Sequence, residues 1–118
     1  MSRLSAAELD ALARRLRDEA VGVLSELSEG SSLCAIARSG RSFPAGRYHE
    51  GRMAAATLVI RARGSEPDAD AALARATDAW AHASPAARRV DPGWQAYGEG
   101  GDDVLGELAE AASRPTGR

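Results

Sequence analysis

The chain has 118 residues, a hydrophobic fraction of 44% and a formal net charge of −2 at pH 7, which suits one small domain with its own core. The slightly negative net charge excludes a protein that binds nucleic acid over its whole surface. One cysteine and two histidines exclude an internal disulfide and a Cys/His metal cluster. We therefore expect a single domain over residues 1–118 that holds neither a metal nor a cofactor.

The sequence gives no sign of export or of membrane insertion. Asp10, Asp18 and Glu19 stand where a signal peptide would have an apolar run. The longest strongly apolar stretch, residues 53–60, is too short to cross a bilayer. Arginine is used throughout in place of lysine, a bias typical of GC-rich bacterial genomes. These features predict a bacterial, cytoplasmic protein without a membrane partner.

The first predicted helix covers residues 6–28. Ser5 and Glu8 have the spacing of a capping box, in which each side chain accepts a hydrogen bond from the other's backbone N–H. Gly30 provides a stop signal just beyond the last periodic position. The apolar positions recur with the period of a helix at Leu9, Leu12, Ala13, Leu16, Ala20, Val23, Leu24 and Leu27.

The connection after this helix is ambiguous. Residues 33–37 form a short apolar run that fits either a strand or one or two helical turns, because so brief a run has no readable period. Residues 39–46 contain two glycines and one proline, which is typical of a loop. We therefore predict a Gly/Arg-rich connection, with a possible short strand, between the first and second helices.

The second predicted helix begins near residues 48–50 and ends near Ala62. Its apolar side chains lie on more than one face, which is typical of a central helix packed against two neighbours. The alternative makes residues 57–63 a strand, because threonine, valine and isoleucine favour extended structure. A third helix is predicted at 67–83, where a cap, a proline and acidic residues mark its start.

The last part of the chain is rich in glycine. Asp91-Pro92-Gly93 and the glycines that follow predict an irregular segment over residues 91–101. We expect Asp102 to cap a fourth helix, and residues 113–118 to form a frayed tail. The predicted fold class is mainly α, with about four helices in one small domain.

Positive charge is concentrated between residues 32 and 64, where six arginines face one acid, Glu50. Arginines interleaved with aromatic side chains can stack bases and hold phosphates. The competing interpretation is that these arginines solvate a loop and pair with acidic helices. The candidate binding residues in this segment are Arg38, Arg41, Phe43, Arg47, Tyr48 and Arg52.

Catalysis finds little support in the sequence. Gly40 and Gly46 are one residue too far apart for a phosphate-binding P-loop, and the required lysine is missing. His49 and Glu50 are neighbours on a predicted helix, so their side chains point about 100° apart. An enzyme that combines them with Cys34 is the third hypothesis, and we predict that the protein is not an enzyme.

Trp94 and Tyr97 are the remaining candidate binding residues. They lie in the Pro/Gly-rich segment of a chain that has only five aromatic residues. Either they fold back to fill the gap between alanine-rich helices, which we favour, or they anchor a partner, as tryptophan and tyrosine often do.

The leading functional hypothesis is a non-enzymatic interaction module that acts through a protein partner or through self-association. The alternative is a nucleic-acid or phosphate ligand bound by residues 38–52.

The capping box generates a first prediction. Ser5→Ala is expected to lower the free energy of unfolding by about 0.5–2 kcal/mol, because it removes the acceptor for an otherwise unpaired N–H at the helix start. Thermal and urea unfolding monitored by circular dichroism would measure the loss. A melting curve identical to that of the wild type would mean that the helix does not depend on this cap.

Overall fold

The computed structural model describes residues 4–30, 44–83 and 91–113. These ranges form four helices and contain no strand, which confirms the predicted mainly α fold. Residues 33–37, the tail after Ser113 and the candidates Arg38, Arg41 and Phe43 lie outside these ranges. The helices are α1 (Ala6–Gly30), α2 (Pro44–Ser65), α3 (Ala69–His82) and α4 (Pro92–Ser113).

The start of α1 lies at the predicted capping box. The backbone N–H of Glu8 donates to Ser5 Oγ at 3.0 Å, and the backbone N–H of Ser5 donates to Glu8 Oε1 at 2.9 Å. The first backbone N–H groups of a helix have no acceptor within the helix, and these two bonds provide acceptors for two such groups. The helix continues to Gly30, two residues beyond the predicted end.

The start of α2 was predicted too late. The helix begins at Pro44 rather than near residues 48–50, so the last three residues of the predicted loop 39–46 are helical. Proline suits the first position of a helix, because an N–H at that position would have no hydrogen-bond acceptor within the helix. Residues 57–63 are helical, and the strand alternative is wrong. The hydroxyl of Thr57 donates to the carbonyl oxygen of Met53 at 2.8 Å, which accommodates a β-branched residue within the helix.

The structure differs most from the sequence prediction at the start of α4. The segment 91–101 is helical from Pro92 onward, and the cap is Asp91 rather than Asp102. The carboxylate of Asp91 accepts a hydrogen bond from the backbone N–H of Trp94 at 3.1 Å. Glycine costs a helix about 1 kcal/mol relative to alanine, and here close packing against neighbouring helices offsets that cost. The buried glycines of α4 are Gly93, Gly98, Gly100 and Gly101.

The helices α2 and α4 approach one another backbone to backbone. A Cβ atom on Gly51 would lie 2.8 Å from the carbonyl carbon of Tyr97, and one on Gly100 would lie 2.9 Å from the carbonyl carbon of Tyr48. Only glycine fits at both positions, because the neighbouring atoms belong to the backbone and cannot move aside.

The core is built largely from alanine, with a few larger side chains between the helices. Helix α2 packs against all three other helices, as expected for a helix that is apolar on several faces. Trp80 of α3 lies against Gly101 of α4, and its indole N–H donates to Asp102 at 3.0 Å. The largest fully buried side chains are Leu9, Val59, Val104 and Leu108.

The close crossing of α2 and α4 generates a second prediction, with a control on the same helix. Gly100→Ala is expected to lower the free energy of unfolding by about 2–3 kcal/mol, because the new methyl group overlaps the backbone of α2. Gly106→Ala, where no atom lies within 4 Å of the new Cβ, is expected to raise it by about 0.5–1 kcal/mol. Urea unfolding of both variants tests the crossing, which equal effects would contradict.

Candidate interaction surface

Five of the predicted binding residues come together where α2 crosses α4. Arg47, Tyr48 and Arg52 project from the first half of α2, and Trp94 and Tyr97 from the first half of α4. They divide into two groups that differ in what their side chains already contact.

The first group contains Trp94, Tyr97, Arg47 and Glu50, and we call it the Trp94 surface. The guanidinium carbon of Arg47 lies 5.0 Å from the centroid of the Trp94 ring, within range of a cation–π interaction. Arg47 also donates to Glu50 Oε1 at 3.0 Å, and the two side chains remain 44% and 41% exposed. The surface is therefore an aromatic centre bordered by one cation and one anion, both accessible to solvent.

Trp94 is half-buried and lies outside the buried core. The favoured sequence interpretation, in which this residue fills the core, is therefore not supported, and its segment is a helix rather than a loop. The Tyr97 ring lies 5.2 Å away at 74°, the edge-to-face arrangement that aromatic pairs favour.

Tyr97 connects this surface to the core. Its ring centroid lies 5.4 Å from that of Trp80, which is only 6% exposed. Burial, and then the negative charge of Glu50, raise the pKa of Tyr97, while Arg47 acts in the opposite direction. The phenol is therefore protonated at neutral pH, and the aromatic contacts run without interruption from the core to Trp94.

The second group holds the helices together. Arg52 donates to both carboxylate oxygens of Glu107, at 2.6 and 3.2 Å, and its side chain is only 13% exposed. The hydroxyl of Tyr48 donates to Asp103 at 2.5 Å, and the Arg52 guanidinium carbon lies 5.8 Å from the Tyr48 ring centroid. Bidentate, charge-assisted bonds of this kind fix geometry, so these two predicted binding residues have structural partners.

The pKa values of this second group follow from the same contacts. The hydrogen bond to Glu107 is the main cause of the raised pKa of Arg52. The hydrogen bond to Asp103 is the main cause of the raised pKa of Tyr48, with burial second. Both groups are therefore held in their protonated forms, in which they can donate to the carboxylates of α4.

Among the described residues, the side chains of His49 and Glu50 have different surroundings. Glu50 is bound to Arg47, whereas His49 Nδ1 is buried without a hydrogen-bond partner. Burial, and then the positive charge of Arg52, lower the pKa of His49, so its ring is neutral at pH 7. Cys34 lies outside the described residues.

The described ranges contain neither a metal-binding cluster nor a membrane-spanning helix. No group of histidine, cysteine and carboxylate side chains there could hold a metal ion. No helix in those ranges is both long enough and apolar enough to span a bilayer.

Comparison with known proteins adds no family to these observations. No protein-family model, curated protein or solved structure matches the chain.

The two tryptophans generate a third prediction. Trp80→Ala is expected to lower the free energy of unfolding by about 3–5 kcal/mol, because it opens a cavity in the core. Trp94→Ala is expected to lower it by about 1 kcal/mol, the value of its contacts with Arg47 and Tyr97. Urea unfolding followed by circular dichroism measures both losses. A loss at Trp94 as large as that at Trp80 would mean that Trp94 belongs to the core.

Proposed function

We propose that this protein is a non-enzymatic interaction module of the bacterial cytoplasm, which binds a protein partner or a second copy of itself through the Trp94 surface. The observation that carries the proposal is a half-buried tryptophan held in place by an arginine and a tyrosine at the surface of the fold. Tryptophan, tyrosine and arginine are the residues most enriched among interface hot spots.

Two properties of this surface support protein recognition. The Trp94 ring is already positioned by Tyr97 and Arg47, so binding requires little further loss of side-chain entropy. Arg47 and Glu50 flank the ring as an exposed pair of opposite charges. An aromatic centre with a polar rim is the usual organisation of a protein–protein interface.

A nucleic-acid or phosphate ligand is the alternative, and the described arginines give it less support. Arg47 and Arg52 each have a carboxylate partner, so a phosphate would have to displace Glu50 or Glu107. These two arginines lie in the described part of the segment, residues 44–52.

The experiment compares four versions of the immobilised chain as bait in a lysate of its own cells. These are the wild type, Trp94→Ala, Arg47→Ala and, as a control, Arg15→Ala. Arg15 is a suitable control because it too is an exposed arginine with a nearby carboxylate, at 3.7 Å from Glu19, but on α1. Retained proteins are quantified by mass spectrometry, and the dissociation constant of each candidate is then measured with purified components.

We expect Trp94→Ala to weaken the binding of a retained partner by about 30-fold, the effect of losing a hot spot of about 2 kcal/mol. Arg47→Ala weakens it less, and Arg15→Ala leaves it unchanged. If the partner is a second copy, the same order appears in sedimentation equilibrium. A monomer that retains no protein, or a partner indifferent to Trp94→Ala, would refute the proposal. Binding of a labelled oligonucleotide that weakens steeply with salt would favour the alternative.

A further inference from the structure

A small cavity lies between the second half of α2 and the middle of α3, away from the Trp94 surface. Its volume is about 160 Å³, and its walls include Leu58 and Ala62 of α2 and Ala76 and Ala79 of α3. Ala62 and Ala76 are buried, so the floor of the cavity is the apolar core. Ser65 also lines the cavity, and the buried alanines favour an occupant that presents an apolar group to them.

Two arginines border the rim of the cavity. Arg61 borders it from α2 and Arg75 from α3, and every ionisable side chain among the described lining residues is one of these two. Arg75 donates to Glu66 at 3.1 Å and is 61% exposed, while no ion pair of Arg61 occurs within the described ranges. Glu66 offsets the charge of Arg75, so Arg61 is the rim arginine whose charge is not offset within the described ranges. Charges farther than about 8 Å away are largely screened at physiological ionic strength, so Arg61 can attract an anion although the whole chain is acidic.

The size of the cavity restricts its occupant. Sites for small organic ligands usually measure about 300–1,000 Å³, whereas about 160 Å³ suits a single side chain. An apolar groove that receives side chains of a partner segment is a common mode of peptide recognition. Arg61 and Arg75 lie on opposite sides of the cavity. They can bind carboxylates of the residues before and after the inserted one, because a guanidinium binds a carboxylate through two parallel hydrogen bonds.

We propose that this cavity binds an acidic segment of a partner protein, which inserts one aliphatic side chain between α2 and α3. It places one neighbouring carboxylate on Arg61 and a second on Arg75, where that carboxylate displaces Glu66. This site is independent of the function proposed for the Trp94 surface. Exposed ion pairs contribute little each, so the buried aliphatic group supplies most of the affinity, while the arginines select for acidic sequences.

The test uses an acetylated and amidated peptide with one leucine between two pairs of glutamates. It is titrated into the ¹⁵N-labelled full chain, and backbone amide shifts are followed by NMR. Two further peptides serve as references, one with alanine in place of leucine and one with glutamines in place of the glutamates. We expect binding in the millimolar range, with the largest shifts at Leu58, Ala62, Ala76 and Ala79.

Two variants separate the contribution of the cavity from that of the charges. Ala79→Leu fills the cavity from its exposed edge and is expected to weaken binding at least tenfold, while Ala74→Leu, an exposed position of α3 outside the lining, does not. Arg61→Glu is expected to weaken binding of the glutamate peptide about tenfold and to leave the glutamine peptide unaffected.

Several results would overturn the proposal. They are an absence of shifts at the lining residues, equal binding of the glutamine and glutamate peptides, or equal effects of Ala79→Leu and Ala74→Leu. Shifts at the lining residues that grow with protein concentration alone would identify a second copy as the occupant instead of an acidic partner segment.

Discussion

The direct contact between the backbones of α2 and α4 is the constraint on which the rest of the arrangement depends. Gly51 and Gly100 remove the two Cβ atoms that would otherwise separate the helices. At that distance Tyr48 and Arg52 reach carboxylates on the next turns of α4. The same approach brings Arg47 over the Trp94 ring, so the Trp94 surface is a product of the crossing.

Most of the helical architecture could be predicted from local sequence patterns. The capping box of α1 and the apolar period behind it depend on residues within a few positions of one another, and both were identified correctly. The beginning of α4 could not be found in this way, because glycine was interpreted through its low helix propensity. One helical stripe in fact continues through Tyr97, Gly101, Val104 and Leu108. Small residues within such a stripe indicate a closely packed neighbouring helix as readily as the end of a helix.

The candidate surface was predicted in composition but not in its contacts. The sequence identifies Arg47, Arg52, Trp94 and Tyr97 as unusual residues, but it does not show which acids they meet. Arg52 and Glu107 are 55 residues apart, and such a pair depends on how the helices cross. In the fold Arg52 pairs with Glu107 and is largely buried, whereas Arg47 lies exposed beside Trp94.

The long separation between the partners of the α2–α4 crossing also bears on how the chain folds. Helices α2 and α3 are joined by only three residues, 66–68, so they can pair with little loss of loop entropy. The bond from Tyr48 to Asp103 closes a loop of 55 residues, which is entropically more costly. We therefore expect α4 to dock late, onto helices that are already paired. The two backbones can come into contact only where Gly51 and Gly100 lie at the crossing point. The docking of α4 therefore also selects the native alignment of the two helices.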